Sequence, residues 1–157
     1  MFRGKIGLNK SMVTIALGVW CLFIFMPILF PHSLLSSLTV IFGKGICKLL
    51  CHQEEQKLFH FSGCYSLVCA RCSGVYLGAF ISSVLIFFVQ VNDKKGLLLI
   101  TASCIMLIDV LLTTFGVYPY QKSIAFFTGI FFGSVIFFYF NNAIHSLKLE
   151  SKTRKVI

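Results

Sequence analysis

The chain has 157 residues, 57% of them hydrophobic and only 12% charged, with a formal net charge of +9. Soluble domains carry about 25% charged residues, so this composition, with a mean hydropathy of +0.90, excludes a water-soluble globule and predicts a polytopic membrane protein. Nucleic acid is not an expected partner: the basic residues sit in short inter-helix segments and the tail, where they suit cytoplasmic loops and anionic lipid, and form no basic face interleaved with aromatics.

The first expected element is a membrane span over residues 12–30, preceded by Arg3, Lys5 and Lys10. Its apolar run exceeds the ~7–15 residues of a signal h-region and no small-x-small site follows. Trp20 precedes Cys21, where a lipoprotein site needs a small residue, so the segment reads as an uncleaved span. Residues 33–50 read as an amphipathic helix at the membrane interface. Leu34, Leu38, Ile41, Phe42 and Leu49 recur at helical spacing, and Gly43, Lys44, Gly45 and Lys48 interrupt the polar side. Three further spans are expected at residues 74–91, 97–118 and 123–140, each near the ~20 residues a bilayer requires.

The expected fold is therefore all-α: one domain over residues 1–157, a four-helix transmembrane bundle with a Cys/His-rich loop (residues 47–73) and an amphipathic helix between spans one and two. With four spans, Arg3, Lys5, Lys10, Lys94, Lys95, Lys148, Lys152, Arg154 and Lys155 fall on one side, and Lys44, Lys48, Lys57, Arg71 and Lys122 on the other. That bias places both termini in the cytoplasm and the Cys/His loop outside the cell (inner) membrane. Thiols in that oxidising compartment pair unless a metal or a redox partner holds them. The tail basic residues from Lys148 to Lys155 read as lipid headgroup contacts.

The loop holds the chemistry. Cys51-His52-Gln53 is followed by His60, Cys64 and Cys69-Ala70-Arg71-Cys72, with Cys47 just upstream. The Cys-x-x-Cys spacing lets two thiolates grip one metal or close a small disulfide. Arg71 and the positive end of the following helix are expected to favour thiolate. In the metal reading, Cys69 and Cys72 form one pair and the remaining ligands come from Cys51, His52, His60 and Cys64. Such a set suits zinc first, then copper(I) or an iron–sulfur cluster. Cys51 and His52 are adjacent, so binding one ion with both would strain the turn, and His60 is the better imidazole. Gln53 and Tyr76 are expected to support the ligands. Two other readings stay open: thiol redox work with a redox partner protein, and structural disulfides.

The segment running from Cys51-His52-Gln53 to Cys69-Ala70-Arg71-Cys72-Ser73-Gly74-Val75-Tyr76-Leu77-Gly78 resembles the signature of a family of small prokaryotic membrane proteins known as domain of unknown function 2085. That family reads CHQ, then CxRCxGIYxG at the head of a transmembrane helix. Asp109 matches an acidic residue in a later span, and Thr128-Gly129 matches the start of the last helix. Ala125 stands where the family commonly has an arginine, and so does Lys57. The resemblance implies a membrane architecture and no activity. The four-span layout with Cys-x-x-Cys at the outer end of span two is also similar to quinone-linked disulfide-forming oxidoreductases. This likeness implies a quinone near Arg71, with Cys51 or Cys64 as electron relay. Those enzymes place their second cysteine pair between spans three and four, where this chain has only residues 118–122.

Within the spans, Asp109 needs a partner or a wet cavity, because an ionised carboxylate at mid-bilayer costs about 2.5–3.5 kcal/mol on insertion scales. Arg71, Tyr76 and Gln121 are candidate partners, and a transporter subunit relying on Asp109 is a third functional class. Gly74-x3-Gly78-x3-Ser82 and Gly129-x3-Gly133 form small-residue faces that permit close helix approach. Packing inside one bundle is expected there, with homo-oligomerisation as the alternative use. Cys21 and Cys104 read as small apolar residues of the spans.

Overall fold

A computed structural model describes residues 3–30, 33–51, 54–61, 64–88 and 96–154. Helix α1 (Arg3–Leu29) is followed by α2 (Leu34–Leu50), a short hairpin of β1 (Leu58–Phe61) and β2 (Cys64–Cys69), then α3 (Ala70–Leu85), α4 (Leu97–Thr114) and α5 (Lys122–Arg154). Three segments are long and apolar enough to cross a membrane: Ser11–Leu29, Leu97–Thr114 and Lys122–Ile144. The span expected at residues 74–91 is a shorter apolar helix, α3. At 1.5 Å per residue its 16 residues cover about 24 Å, short of a ~30 Å hydrocarbon core.

Helix α3 also begins earlier than the expected residue 74. Cys69 is extended (φ −63°, ψ 159°) and acts as N-cap, so Cys72 falls in the first helical turn. The residues α3 buries are small: Ala70, Ser73, Gly74, Gly78, Ser82 and Ser83. Gly74, Gly78 and Ser82 meet α5, on which α3 packs closely. A Cβ on Gly74 would lie 2.2 Å from the Phe126 carbonyl oxygen, and one on Gly78 2.2 Å from that of Ile130. From the other side, a Cβ on Gly129 would lie 2.4 Å from the Arg71 oxygen and one on Gly133 2.1 Å from the Val75 oxygen. Backbone therefore meets backbone, and two hydroxyls tie the seam further. Ser82 Oγ donates to the Ser134 carbonyl (3.0 Å), and Ser134 Oγ donates to that of Gly78 (3.1 Å). Both small-residue faces are thus consumed within one chain, and neither is left for the homo-oligomer that was the alternative use.

This seam yields a graded prediction. Gly78→Val pushes two backbones apart and costs at least the ~1–3 kcal/mol typical of overpacking. Gly45→Ala on α2, where an added Cβ meets nothing within 4 Å, is neutral or gains up to ~1 kcal/mol of helix propensity. Thermal unfolding in detergent separates them; equal midpoints would contradict the seam.

Helix α2 is a helix as expected, but its faces are distributed differently. Leu34, Leu38, Ile41, Phe42 and Ile46 form an exposed apolar stripe. Gly43 and Cys47 face inward, and a Cβ on Gly43 would lie 2.9 Å from Leu67 Cδ1. Gly43 is therefore a contact point with β2 and not part of a polar side. The hairpin was not expected. It pairs Leu58 with Cys69, His60 with Tyr65 and Phe61 with Cys64, and β2 packs on α1 and α2. Leu67 and Val68 join Ile24, Cys47 and Cys51 in a buried cluster, against which Trp20, Phe23, Phe25, Val40, Cys69, Cys72 and Tyr76 pack. A lone two-stranded hairpin is marginal in water; this one is held by that cluster.

Candidate metal centre

Three chain segments end at one point. The last turn of α2 is closed by the Cys51 N–H donating to the Cys47 carbonyl at 2.8 Å, which sets Cys51 just past the helix. Cys69 terminates β2, and Cys72 lies one turn into α3. The sulfurs of Cys51, Cys69 and Cys72 all lie within 4.8 Å of one another. Cys51 is 8% exposed, and Cys69 and Cys72 are half-buried. The Cys69 backbone N–H donates to Cys51 Sγ at 3.4 Å. With a zinc–sulfur bond of about 2.3 Å, tetrahedral geometry sets sulfurs roughly 3.8 Å apart, so this triad needs only a small contraction to hold such an ion.

Arg71, expected to favour thiolate at the neighbouring cysteines, is instead paired with Asp109. The hydrogen bond with Cys51, ahead of burial, pushes the Cys69 thiol above its ordinary range, although Cys72 pulls the other way. The Arg71 guanidinium is committed to another partner. Its Nη2 donates to Asp109 Oδ2 at 2.5 Å, away from the sulfurs. Asp109 is 6% exposed and the Arg71 side chain 16%. Tyr118 Oη donates to the other carboxylate oxygen, and Thr128 Oγ1 sits 3.5 Å from Oδ2.

Asp109 does not sit at mid-span. Helix α4 stops at Thr114, four residues before the expected end, because Gly116 adopts φ +69°. Gly116 N–H bonds the Thr113 carbonyl (3.4 Å) and Val117 N–H bonds that of Leu112 (3.0 Å), a Schellman ending. The chain then turns back, so Tyr118 reaches Asp109 and Tyr120 reaches Arg71. The Tyr120 ring lies 5.8 Å from both the Arg71 guanidinium carbon and Lys57 Nζ. Burial, reinforced by nearby Cys69, pushes its hydroxyl up to about 12. Lys57 is also paired with Glu54 at 2.5 Å.

The other sequence-predicted residues are distributed around this centre. His60 is exposed on β1 and lies against Tyr65 with the rings tilted, centroids 4.8 Å apart. Cys64 opens β2 opposite Phe61. His52 and Gln53 lie outside the described residues. Tyr76 packs edge-on against Trp20 at 6.1 Å, and its hydroxyl lies within electrostatic reach of Cys72, Cys47 and Cys51. Cys104 is exposed and Cys21 buried in the spans, where Cys21 Sγ lies 3.5 Å from the Tyr76 carbonyl. Sequence reasoning did not identify Tyr118, Tyr120 or Thr128 as members of the Asp109 group. Gly116 was the available signal for the first two, since a glycine near a helix end predicts a stop there.

A family match covers residues 51–139, more than half of the chain, and includes Cys51, Cys69, Cys72 and the Asp109 group but not Cys47. The chain belongs to the family described as "Predicted membrane protein (DUF2085)". The expected resemblance is therefore correct. Two relatives, each titled an uncharacterized protein, come from methanogenic archaea. The one from Methanothermobacter thermautotrophicus is 36% identical over 53 residues, 34% of this chain and 48% of its own. The one from Methanocaldococcus jannaschii is 29% identical over 99 residues, 60% of this chain and 64% of its own. The matched part thus spans less than two-thirds of either relative. No solved structure matches.

Proposed function

We propose that this integral membrane protein holds a soft transition-metal ion, zinc first, in the thiol centre of Cys51, Cys69 and Cys72, at the outer face of the inner membrane. The observation that carries the reading is the convergence of three sulfurs from three separate elements within 4.8 Å. A disulfide can consume two of them but not three. Thiolates suit zinc or copper(I), and the Cys69 N–H aimed at Cys51 Sγ is the kind of donor that steadies a ligating sulfur. Bound there, the ion would join the end of α2, the hairpin and the head of α3.

The test is elemental analysis and thiol counting on the same detergent-purified, non-reduced protein. About one metal per chain is expected, as for a closed thiolate site. No metal, with the thiols paired and reducible, would sink the reading and favour a quinone-linked thiol oxidoreductase using Cys69 and Cys72. The transporter reading draws less support, because Asp109 is engaged by Arg71, Tyr118 and Thr128, an arrangement suited to latching helices together.

A further inference from the structure

Cys47 is a buried sulfur in the cluster around the three-thiol centre that the centre leaves unexplained. Its side chain is 0% exposed and belongs to the same buried cluster as Cys51, against which Cys69, Cys72 and Tyr76 pack. It lies one helical turn before Cys51, and residues four apart share a helix face, with Cβ atoms about 5–6 Å apart. The same hydrogen bond that ends α2, Cys51 N–H to the Cys47 carbonyl, keeps the two in that relation.

We infer that Cys47 is the fourth thiolate of the metal centre, completing a tetrahedral Cys47/Cys51/Cys69/Cys72 set. The inference rests on the metal reading above and deepens it. Zinc in structural sites takes four ligands; the described histidine nearest in sequence, His60, is exposed on the hairpin against Tyr65. Cys47, by contrast, is already desolvated in the cluster that holds Cys51 and packs on Cys69 and Cys72, and binding would require its side chain and the α2 terminus to move toward the other three sulfurs. A buried cysteine often serves only as a small apolar residue, and that is the competing outcome. A four-thiolate set has no open coordination position, which makes the ion a brace for α2, β2 and α3 and not a hydrolytic catalyst.

The test titrates cobalt(II) into the metal-free, reduced full-length protein in detergent. Sulfur-to-cobalt charge-transfer intensity grows with the number of thiolates, so the wild-type spectrum reads the ligand count without any variant. A four-thiolate spectrum is expected. Cys47→Val, which keeps the core apolar at a somewhat larger volume, should lose about a quarter of that intensity, in line with loss of one ligand in four. Its affinity should fall by more than the roughly 10–100-fold cost of losing an outer hydrogen-bonding partner. A three-thiolate wild-type spectrum, or a Cys47→Val protein with wild-type spectrum and affinity, overturns the assignment. So does a loss of affinity in His52→Ala with none in Cys47→Val. A wild-type protein that takes no cobalt overturns the metal reading itself, and the two failures are thereby told apart.

Discussion

Asp109→Ala will release α4 from the bundle. Among its described residues this helix buries only Ala102 and Asp109, and most of its large apolar side chains are exposed. Asp109 is therefore its principal polar anchor, tied to the first turn of α3 through Arg71 and to the following loop through Tyr118. Removing the carboxylate leaves a guanidinium that is 16% exposed without its counter-ion. Breaking a buried pair from one side typically costs about 3–5 kcal/mol. The incomplete burial of Arg71 lets solvent or lipid headgroups recover part of that, so the lower end is expected. Asp109→Asn keeps an acceptor for Tyr118 and should cost less. Thermal unfolding in detergent, with proteolysis in the α4–α5 connection, reads the effect. An Asp109→Ala protein as stable and as protease-resistant as wild type would show that the pair latches nothing.

The second large effect is on metal content. Cys69→Ser/Cys72→Ser removes two of the three converging sulfurs and substitutes hydroxyls that are poor ligands for a soft ion. Metal should fall from about one per chain to near none, because thiolate sites draw their affinity from those bonds. Stability should fall with it. The hairpin has only two short strands, its attachment to α3 passes through Cys69, and an ion joining that residue to the end of α2 would close the loop. Structural zinc in small domains contributes apparent binding energies of about 10–16 kcal/mol; here a packed cluster already supports the hairpin, so only a fraction should appear in unfolding. A double variant that retains its metal would place the ion elsewhere.

Much of the architecture was legible from apolar run length. The spans expected at residues 12–30, 97–118 and 123–140 correspond to α1, α4 and α5, since lipid-facing helices must be apolar all round. Helix α3 was legible as a helix but misjudged in extent. Its buried face is glycine, serine and alanine, so the close packing on α5 is carried by small residues that run-length hydropathy does not distinguish. The hairpin escaped because Ser66, Leu67 and Val68 are buried in succession, which erases the alternation that marks a half-exposed strand. Ser62-Gly63 between two short apolar runs was the usable signal.

At the site, the Cys-x-x-Cys pair and Cys51 stood out in the sequence, and the fold brings those three sulfurs together. The partner of Asp109 was less legible. Arg71 was one of three candidates, and only the backward turn at Gly116 shows why Tyr118 and not Gln121 reaches the carboxylate. Arg71 was also expected to act on the thiols between which it sits. A side chain in the first turn of a helix can point well away from its sequence neighbours, and here it points to α4.

The central claim is that a metal ion sits among these sulfurs, and X-ray absorption at the metal edge tests it most directly. The sample is the full-length protein, purified without reductant or added metal. The account predicts a bound ion whose nearest shell is dominated by sulfur at about 2.3 Å. A shell of light atoms alone, or a protein without stoichiometric metal, would contradict it.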